Sequence, residues 1–458
     1  MTTIEEQSKV KNQMVRIGLN FLGILNDLKR RPEDAANELG VPLNEILSII
    51  EGRKELSKDI ISRAVKIWPV NERDFYLIVD DCPHGVRVMR SDESAKTSRI
   101  MERGGKPYYE YRDTAMSSIA PFRPEWISEL CYVDDNDPEN KMAQWNNGHF
   151  MHQFTYFIGE VNFYYLGPNG EKQVAVMNTG DSMYITPFVP HTFTTRKGAP
   201  KNGLILALTY GNKLTGDPQN ELSVLQDDLG SQFVLDFSSK EKSSGSLLKF
   251  HRESTSLGLD ELHNRTNIEL EKLKMIEEGE IVPSFDEYQI IAKALHVNIR
   301  DLLPNDSIEQ KVIVQKHDEG KSWTFPDDSQ AYSIVELAAS NYLPHSKALE
   351  FSINYNKDEI LDLKVGLHQY GYNVGESNIE MNWKFNGKDF HETIKPGDTF
   401  YIEPFIEHNF RGKGKILILR VAGKVVGESQ RELSFIGKDN VKRAISETMQ
   451  WFHPDGSN

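Results

Sequence analysis

Two segments of the chain carry apolar residues at helical spacing. Within residues 17–68 an apolar stripe runs around a turn at Gly40 and consists of Ala35, Leu39, Ile46, Ile49 and Ile50. Residues 256–303 show a similar pattern, with two short helical segments and a third that follows a glycine. This spacing, bounded by turn residues, predicts two units of short amphipathic helices.

Each helical unit is followed by stretches in which apolar and polar residues alternate, which predicts strands. From Thr179 the chain reads TGDSMYITPFVPHTF, and from Pro396 it reads PGDTFYIEPFIEHNF. Both copies have a Gly-Asp turn, an apolar strand, Pro-Phe and a His eleven residues after the Gly. A His-Gln-aromatic triplet precedes each copy, at 152–154 and at 368–370. The shared spacing predicts a duplicated helical-plus-β unit.

The repeat divides the chain into predicted segments. The polar stretch SSKEKSSGS at 238–246 is typical of a linker between the two halves. We therefore predict a helical unit at 1–84, a β unit at 85–237, the linker with a second helical unit at 238–305, a second β unit at 306–430 and a C-terminal tail at 431–458.

Composition excludes several classes of protein. The 458 residues include 53 Lys+Arg and 68 Asp+Glu, a net charge of −15, which argues against a nucleic-acid partner. Only two cysteines occur, Cys82 and Cys131, too few for a disulfide framework or a zinc ribbon. No apolar run approaches the length of a membrane span. We expect a cytoplasmic protein that does not associate with a membrane.

Both helical units resemble the helix-turn-helix of many repressors. The recognition helices would begin near Pro42 and near Asn267, where the sequence is acidic and offers no Arg or Lys to read guanine. A packing or assembly module is therefore favoured over a DNA reader. A cupin-type transcriptional regulator stays as the distant alternative.

The first β unit contains a candidate metal site. If residues 148–156 form a strand, His149, Met151 and Gln153 share one face, and His191 from the second motif can complete a facial set. On the opposite face, His152 would pack among aromatic residues. The residues alone leave open whether Gln153 is a ligand or only forms hydrogen bonds inside the β unit.

The nearby carboxylates fit a metal site poorly. Oxygen-activating non-haem iron is typically held by two His and one carboxylate. Glu160 lies beyond a glycine with the wrong parity, and Asp181 belongs to a turn. Position 185, on the strand that leads to His191, is Ile. The sequence therefore offers the neutral amide of Gln153 as the third donor.

The β motifs resemble those of cupins, which are double-sheet jelly rolls that hold a metal inside the barrel. The order of helical unit, cupin, helical unit and degenerate cupin resembles the non-haem iron enzymes that convert 2-hydroxyethylphosphonate. This resemblance implies an α+β fold built as a tandem repeat of a helix-turn-helix-like unit and a jelly-roll barrel, with Fe(II) as cofactor and O2 as co-substrate. A homo-oligomer is also expected.

The resemblance assigns roles to individual residues. In the branch that makes hydroxymethylphosphonate and formate, a Glu stands six residues before the last His, where this chain has Ile185. The branch that makes methylphosphonate and CO2 by C–C cleavage has the set matched here by His149, Gln153 and His191. The dioxygenase products remain the close alternative, and a metal-independent sugar-binding or isomerase cupin is a weaker one.

The substrate residues follow from the same resemblance. Arg103 and Tyr111 match an Arg and a Tyr that hold the phosphonate, and Asn146 matches an amide that contacts it. Lys29 matches a lysine that reaches over the site, from the same chain or from a neighbouring copy. Lys29, Tyr111 and Gln153 are the expected catalytic residues.

The second β unit is expected to bind no metal. Aligning Gln369 with Gln153 places Val365 where His149 stands, so one ligand is missing. His368 and His408 are therefore expected to be structural, and we predict one iron per chain.

Overall fold

The structure, a computed structural model, describes residues 4–82, 84–211, 214–305, 310–343, 345–355 and 363–446. It is a mixed helix and sheet fold. The N-terminal helices are α1 (Ile4–Asp27), α2 (Pro32–Leu39), α3 (Leu43–Ile50) and α4 (Lys58–Ile67). Gly40 ends α2 with a left-handed φ of 62°, as the turn in the apolar stripe predicts. A short 3-10 helix follows at Glu72–Phe75.

The first β unit carries one short helix, α5 (Ser91–Lys96). Its strands are β1 (Val86–Met89), β2 (Arg99–Arg103), β3 (Lys106–Asp113), β4 (Arg123–Glu129), β5 (Tyr132–Val133), β6 (His152–Ile158), β7 (Val161–Leu166), β8 (Lys172–Met177), β9 (Ser182–Ile185), β10 (His191–Arg196) and β11 (Gly203–Tyr210).

The second helical segment follows β11. Its helices are α6 (Asp217–Gly230), α7 (Lys240–Ser254), α8 (Leu259–Thr266), α9 (Leu270–Glu277) and α10 (Phe285–Leu295), with 3-10 turns at Ser231–Phe233 and Ile299–Asp301.

The predicted linker at 238–246 is wrong, because α7 begins at Lys240. Its small residues serve close packing: a Cβ on Gly245 would lie 2.4 Å from the carbonyl oxygen of Ile276 on α9. Gly18 on α1 approaches Ile49 on α3 in the same way, at 2.4 Å. Composition alone could not distinguish a packed small-residue helix from a polar linker.

The second β unit and its C-terminal extension complete the chain. The strands are β12 (Val312–Gln315), β13 (Ser322–Phe325), β14 (Tyr332–Glu336), β15 (Ser346–Tyr355), β16 (His368–Asn373), β17 (Ile379–Phe385), β18 (Lys388–Ile394), β19 (Thr399–Ile402) and β20 (Glu407–Val421), with a 3-10 turn at His317–Glu319. Helices α11 (Glu428–Ile436) and α12 (Lys438–Ser446) occupy much of the segment predicted as a tail.

The strands form open sheets rather than closed barrels. A seven-stranded sheet has the order β12-β9-β6-β11-β4-β3-β2, and a four-stranded sheet has the order β5-β10-β7-β8. The third sheet has nine strands, in the order β1-β19-β16-β20-β15-β14-β13 with β17 and β18 attached to β20. The prediction of closed jelly-roll barrels is therefore wrong, whereas the predicted combination of helices and sheets is confirmed.

The two β units exchange one strand each. β1 is the first strand of the first β unit in sequence but pairs antiparallel with β19 of the second, with Val86 opposite Ile402. β12 is the first strand of the second unit in sequence but pairs with β9 of the first, with Val312 opposite Ile185. Each unit is therefore completed by a strand from the other half of the chain.

The aspartates of the two Gly-Asp turns fasten these exchanged strands. Asp398 accepts a hydrogen bond from Ser91 N at 2.9 Å, just after β1. Asp181 accepts from His317 N at 3.0 Å, just after β12, and pairs with Lys316 at 2.9 Å. The repeated motif therefore joins the halves of the chain as well as forming a turn.

Separate apolar cores fill the units and the contact between them. One core lies inside each β unit, and another packs the outer face of the seven-stranded sheet against the outer face of the nine-stranded sheet. The inter-sheet core is rich in tyrosine, with Tyr156 and Tyr184 from one side and Tyr370 and Tyr401 from the other. Within the described residues, no helix is both long and apolar enough to cross a lipid bilayer.

Candidate metal centre

His149 and His191 present the same ring nitrogen to one space. His149 Nδ1 lies 2.7 Å from the Met151 carbonyl, and His191 Nδ1 lies 2.8 Å from the Val189 carbonyl. Because a carbonyl can only accept, each Nδ1 carries the proton and each Nε2 keeps its lone pair. The rings are perpendicular with centroids 5.2 Å apart. His149 precedes β6, so the predicted strand starts later than its alternation indicated.

The Gln153 amide completes this arrangement. Its Oε1 lies 2.9 Å from His149 Nε2, and its Nε2 donates to Thr155 Oγ1 at 2.8 Å. With the tautomer set by Met151, the first of these contacts brings together two hydrogen-bond acceptors, each with a lone pair and neither with a proton to donate. A cation between them would relieve this opposition. The donor set of two imidazoles and an amide oxygen suits a first-row divalent metal.

The two carboxylates considered as ligands, Glu160 and Asp181, have other partners. In the described part of the chain, no three His, Cys, Asp or Glu side chains cluster as metal ligands. Glu160 pairs with Arg196 at 3.7 Å, and Asp181 is held by the exchanged strand. Ile185 is fully buried directly opposite Gln153. The expectation that Glu160 and Asp181 are poor ligands agrees with these contacts.

Asn146 lies against His191. Its Oδ1 accepts from the backbone N–H groups of His191 and Gly148, both at 2.9 Å. This fixes the amide so that Nδ2 points at His191 Nε2, 3.2 Å away. Asn146 therefore offers an N–H donor at the edge of the space between the histidines.

Arg103 supplies positive charge next to the histidines. Its guanidinium donates to the Gln144 carbonyl at 2.7 Å and to Thr192 Oγ1 at 3.2 Å, and it lies over the Tyr109 ring at 4.7 Å. No carboxylate pairs with it among the described residues. Burial lowers the pKa of His191 to about 4, and the charge of Arg103 acts in the same direction.

Tyr111 and Lys29 differ in how they relate to this space. The Tyr111 ring contacts Tyr109 edge-on at 5.9 Å, and burial raises the pKa of its phenol, which stays protonated as a donor. The Lys29 ammonium donates to the carbonyls of Asn26 and Asp27 at 3.4 Å, at the end of its own helix. A role for Lys29 over the site stays a prediction.

The sequence reasoning missed several residues of this region. Thr155 fixes the Gln153 amide, and its matching parity on the strand could have identified it. Thr192 receives hydrogen bonds from Arg103 and contacts the Tyr109 hydroxyl at 2.9 Å. Glu129 is fully buried and neither carboxylate oxygen has a hydrogen-bond partner in the described chain.

Burial favours the neutral form of the Glu129 carboxyl. Burial raises its pKa well above the usual value, and the nearby charge of Arg103 opposes this only in part. It lies opposite Tyr109 on the adjacent strand. The stretch RPEWISE forms β4, but its sequence gives no reason to place a carboxyl group inside.

His152 has the structural position that its apolar neighbours predict. It is 1% exposed, and its Nδ1 lies 2.7 Å from the Tyr184 hydroxyl. Its ring also stacks near Tyr210, with centroids 6.0 Å apart. His152 therefore belongs to the core between the sheets, on the face opposite Gln153.

No family model matches the chain. It is 62% identical over 450 residues to the methylphosphonate synthase of Nitrosopumilus maritimus (strain SCM1), covering 98% of both chains. It is 22% identical over 427 residues to the 2-hydroxyethylphosphonate dioxygenase of Streptomyces viridochromogenes, covering 86% of this chain and 88% of that one.

A solved structure shares the whole architecture. The Streptomyces albus HEPD with substrate 2-hydroxyethylphosphonate and Fe(II) bound superposes with a TM-score of 0.89 at 35% identity. The match covers 96% of this chain and 99% of that one. The mixed fold with stacked sheets is therefore shared along nearly the full length. Together with the identity over 450 residues, this shows that the chain belongs to the methylphosphonate synthase family, related to the 2-hydroxyethylphosphonate dioxygenases.

Proposed function

We propose that this protein converts 2-hydroxyethylphosphonate and O2 to methylphosphonate and CO2, with Fe(II) held by His149, Gln153 and His191. The observation that carries the assignment is the opposition of His149 Nε2 and Gln153 Oε1 at 2.9 Å, beside the similarly oriented His191. Ferrous iron supplies the activation of O2 when it is bound. The conversion balances with no further reductant, since one substrate and one O2 yield methylphosphonate, CO2 and water.

The polar groups around the histidines would bind the phosphonate. The Arg103 guanidinium has no carboxylate partner in the described chain and can form charge-assisted hydrogen bonds to phosphonate oxygens. The protonated phenol of Tyr111 is a second donor. Asn146 Nδ2 faces the lone pair of His191 Nε2. If a metal were bound to that lone pair, the Asn146 N–H group would be available to donate a hydrogen bond to the substrate.

The neutral third donor distinguishes this site from a two-histidine, one-carboxylate site. Ile185 occupies the position where the dioxygenase branch has its carboxylate, directly opposite Gln153. The three donors therefore carry one negative charge fewer than two histidines and a carboxylate, and this difference favours the binding of a dianionic substrate. The dioxygenase products, hydroxymethylphosphonate and formate, form the second candidate, because the similar Streptomyces viridochromogenes protein carries that name.

The wider organisation belongs to the same proposal. We infer a tandem repeat of a helix-turn-helix-like unit and a cupin, with boundaries near residues 84, 237 and 305, supported by the equivalent approaches of Gly18 and Gly245. A homo-oligomer in which Lys29 reaches a site, and action in the cytoplasm, complete the proposal. The exchanged strands mean that these boundaries divide the sequence and not the sheets.

Product analysis tests the function directly. The Fe(II)-loaded protein is incubated with 2-hydroxyethylphosphonate in air, and the products are identified by phosphorus NMR. We expect methylphosphonate, with CO2 released in equal amount. Hydroxymethylphosphonate with formate would assign the chain to the dioxygenase reaction instead.

A histidine pair controls for the metal site. His149→Ala should lose iron binding and turnover, whereas His391→Ala, at an exposed position on β18, should keep both. Iron content and product yield are measured on the same preparations. Retained iron and activity in His149→Ala would contradict the proposed ligand set.

A further inference from the structure

In the second β unit, the glutamine equivalent to Gln153 contacts an arginine instead of a histidine. Gln153 on β6 lies opposite Thr209 on β11, and the equivalent Gln369 on β16 lies opposite Arg420 on β20. Arg420 Nε donates to Gln369 Oε1 at 3.0 Å. The corresponding oxygen of Gln153 faces His149 Nε2. A side-chain cation therefore satisfies the oxygen that would otherwise face a metal.

The Arg420 charge has no carboxylate partner in the described chain. Other partly buried arginines do: Arg90 pairs with Asp398 at 3.0 Å, and Arg252 pairs with Glu277. Burial lowers the pKa of Arg420 to about 10, in keeping with a charge that lacks a counter-ion. An uncompensated cation in such a place destabilises the fold unless an anion joins it.

The Gln369 amide leaves a donor unused. Gln369 is 1% exposed, and its Nε2 has no hydrogen-bond partner among the described residues. In the first unit the same nitrogen donates to Thr155, but the equivalent residue here is Gly371. The Phe400 ring fills that space, since a Cβ on Gly371 would lie 2.0 Å from it.

His408 leaves an acceptor unused. It is fully buried, its Nδ1 lies 2.8 Å from the Ile406 carbonyl, and its Nε2 has no partner in the described chain. The proton is therefore on Nδ1, and Nε2 presents a lone pair.

The two terminal nitrogens of Arg420 also lack protein partners among the described residues, but they are not among the buried atoms, so solvent reaches them. Lys347 lies directly opposite Arg420 on β15 and adds a second positive charge, shared with Glu336 at 3.8 Å.

We propose that the second β unit binds a small oxyanion that also carries a hydroxyl, the class that includes hydrogen phosphate, bicarbonate and hydroxyalkylphosphonates. The Arg420 fork and Gln369 Nε2 donate to the anionic oxygens. The ligand hydroxyl donates to His408 Nε2. The second unit therefore exchanges a metal site for an anion site, with Arg420 in place of the metal. This inference stands independently of the reaction in the first unit.

Crystallography locates the anion. Crystals of the full chain are soaked in arsenate, which has the shape and protonation of phosphate, and anomalous differences are measured at the arsenic edge. We expect an arsenic peak beside Arg420 that places an arsenate oxygen within hydrogen-bond distance of the guanidinium. A peak at Arg103 alone, or no peak in the second unit, would overturn the proposal.

Solution binding measures the role of each group. In an Arg103→Gln background, which weakens anion binding in the first unit, inorganic phosphate should raise Tm by several degrees through preferential binding to the folded state. Adding Arg420→Gln should abolish this rise. An equal rise in both variants would contradict the site.

The binding of sulfate and the Arg420→Lys variant test the roles of His408 and of the guanidinium separately. Sulfate, which has no hydroxyl at neutral pH, should bind at least about tenfold more weakly than phosphate; equal affinity would exclude a role for His408. If Arg420→Gln does not fold, Arg420→Lys keeps the charge without the fork and should bind phosphate about tenfold more weakly. Affinity unchanged in Arg420→Lys would overturn the role of the fork. Competition of bicarbonate and 2-hydroxyethylphosphonate against phosphate identifies the preferred member of the class.

Discussion

At the scale of single residues, the orientation of each donor in the first β unit depends on one neighbouring acceptor. The Met151 and Val189 carbonyls set the tautomers of the two histidines, and the Thr155 hydroxyl sets the Gln153 amide. None of these neighbours would touch a metal. Removing a group that orients a metal ligand in this way commonly lowers metal affinity or activity by about 10–100-fold.

The Thr155 hydroxyl is the simplest of these contacts to remove. Thr155→Val keeps the volume of this fully buried residue but deletes the acceptor of Gln153 Nε2. We expect iron affinity, measured by competition with a chelator, to fall by about tenfold. Thr155→Ser should restore it, which separates the hydroxyl from a packing effect. Wild-type affinity in Thr155→Val would show that the amide needs no support.

The charge of the third donor can be changed in place. Gln153→Glu adds one negative charge between His149 and the substrate, so it should strengthen iron retention and weaken binding of the dianionic phosphonate. We expect KM for 2-hydroxyethylphosphonate to rise by about tenfold. Gln219→Glu, at an exposed position on α6, is the matched charge control. Unchanged KM, products and iron retention would count against a role for the neutral amide.

At the scale of elements, the exchanged strands β1 and β12 join the halves of the chain by pairing with strands of the opposite unit. β12 pairs with β9, the strand that carries Ile185 opposite Gln153. A strand from the second half of the sequence therefore supports one wall of the site in the first half. A truncated first half would lack this strand.

The Gly-Asp turns can be tested through Asp398. It is 1% exposed, pairs with Arg90 at 3.0 Å and accepts from the backbone of Ser91 and Lys395. Asp398→Ala leaves these donors without their acceptor and should lower the free energy of unfolding by about 2–4 kcal/mol. Urea unfolding measures the change. Asp389→Ala, at an exposed position, should stay within about 0.5 kcal/mol, and equal effects would refute the fastening role.

At the scale of the whole molecule, two similar β units pack back to back but differ inside. In the first unit, the uncharged donors His149, His191 and Gln153 direct lone pairs towards a common space. The second holds Arg420 against the equivalent amide. The outer faces of both sheets form the shared tyrosine-rich core, so the divergence is confined to the inner faces.

Acid should destabilise the molecule through its buried neutral histidines. Burial lowers the pKa of His408 from 6.5 to about 4. Between about pH 4 and pH 6.5 the unfolded chain therefore binds a proton at His408 that the folded chain does not bind. The contribution of His408 to the free energy of unfolding is complete above about pH 6.5 and is lost as the pH falls towards 4. The loss approaches about 3 kcal/mol for this residue.

The contribution of His408 is isolated by comparing variants. Urea unfolding between pH 7 and pH 4.5 should show a shallower loss of stability for His408→Gln than for the wild type. His391→Gln, at an exposed position, should follow the wild type. Parallel curves for His408→Gln and the wild type would show that this histidine is not held neutral.

The amino-acid sequence alone was sufficient to predict the mixed helix and sheet fold, the family and the identity of the facing donors. Periodicity and motif spacing are local, so they placed Gln153 opposite the core face of its strand and His152 in the apolar core. The sequence also shows Ile185 at the position where the dioxygenase branch has a carboxylate. Polar composition misled only at 238–246, where small residues allow close helix packing rather than a linker.

The contacts between residues distant in sequence became visible only in the folded chain. The exchange of β1 and β12, the two aspartate contacts and the back-to-back core join residues far apart in the chain. The same holds for Arg420, which resembles any strand arginine until its register places it against Gln369. Hydrogen-bond partners and desolvation depend on which segments meet, and local patterns carry no information about that pairing.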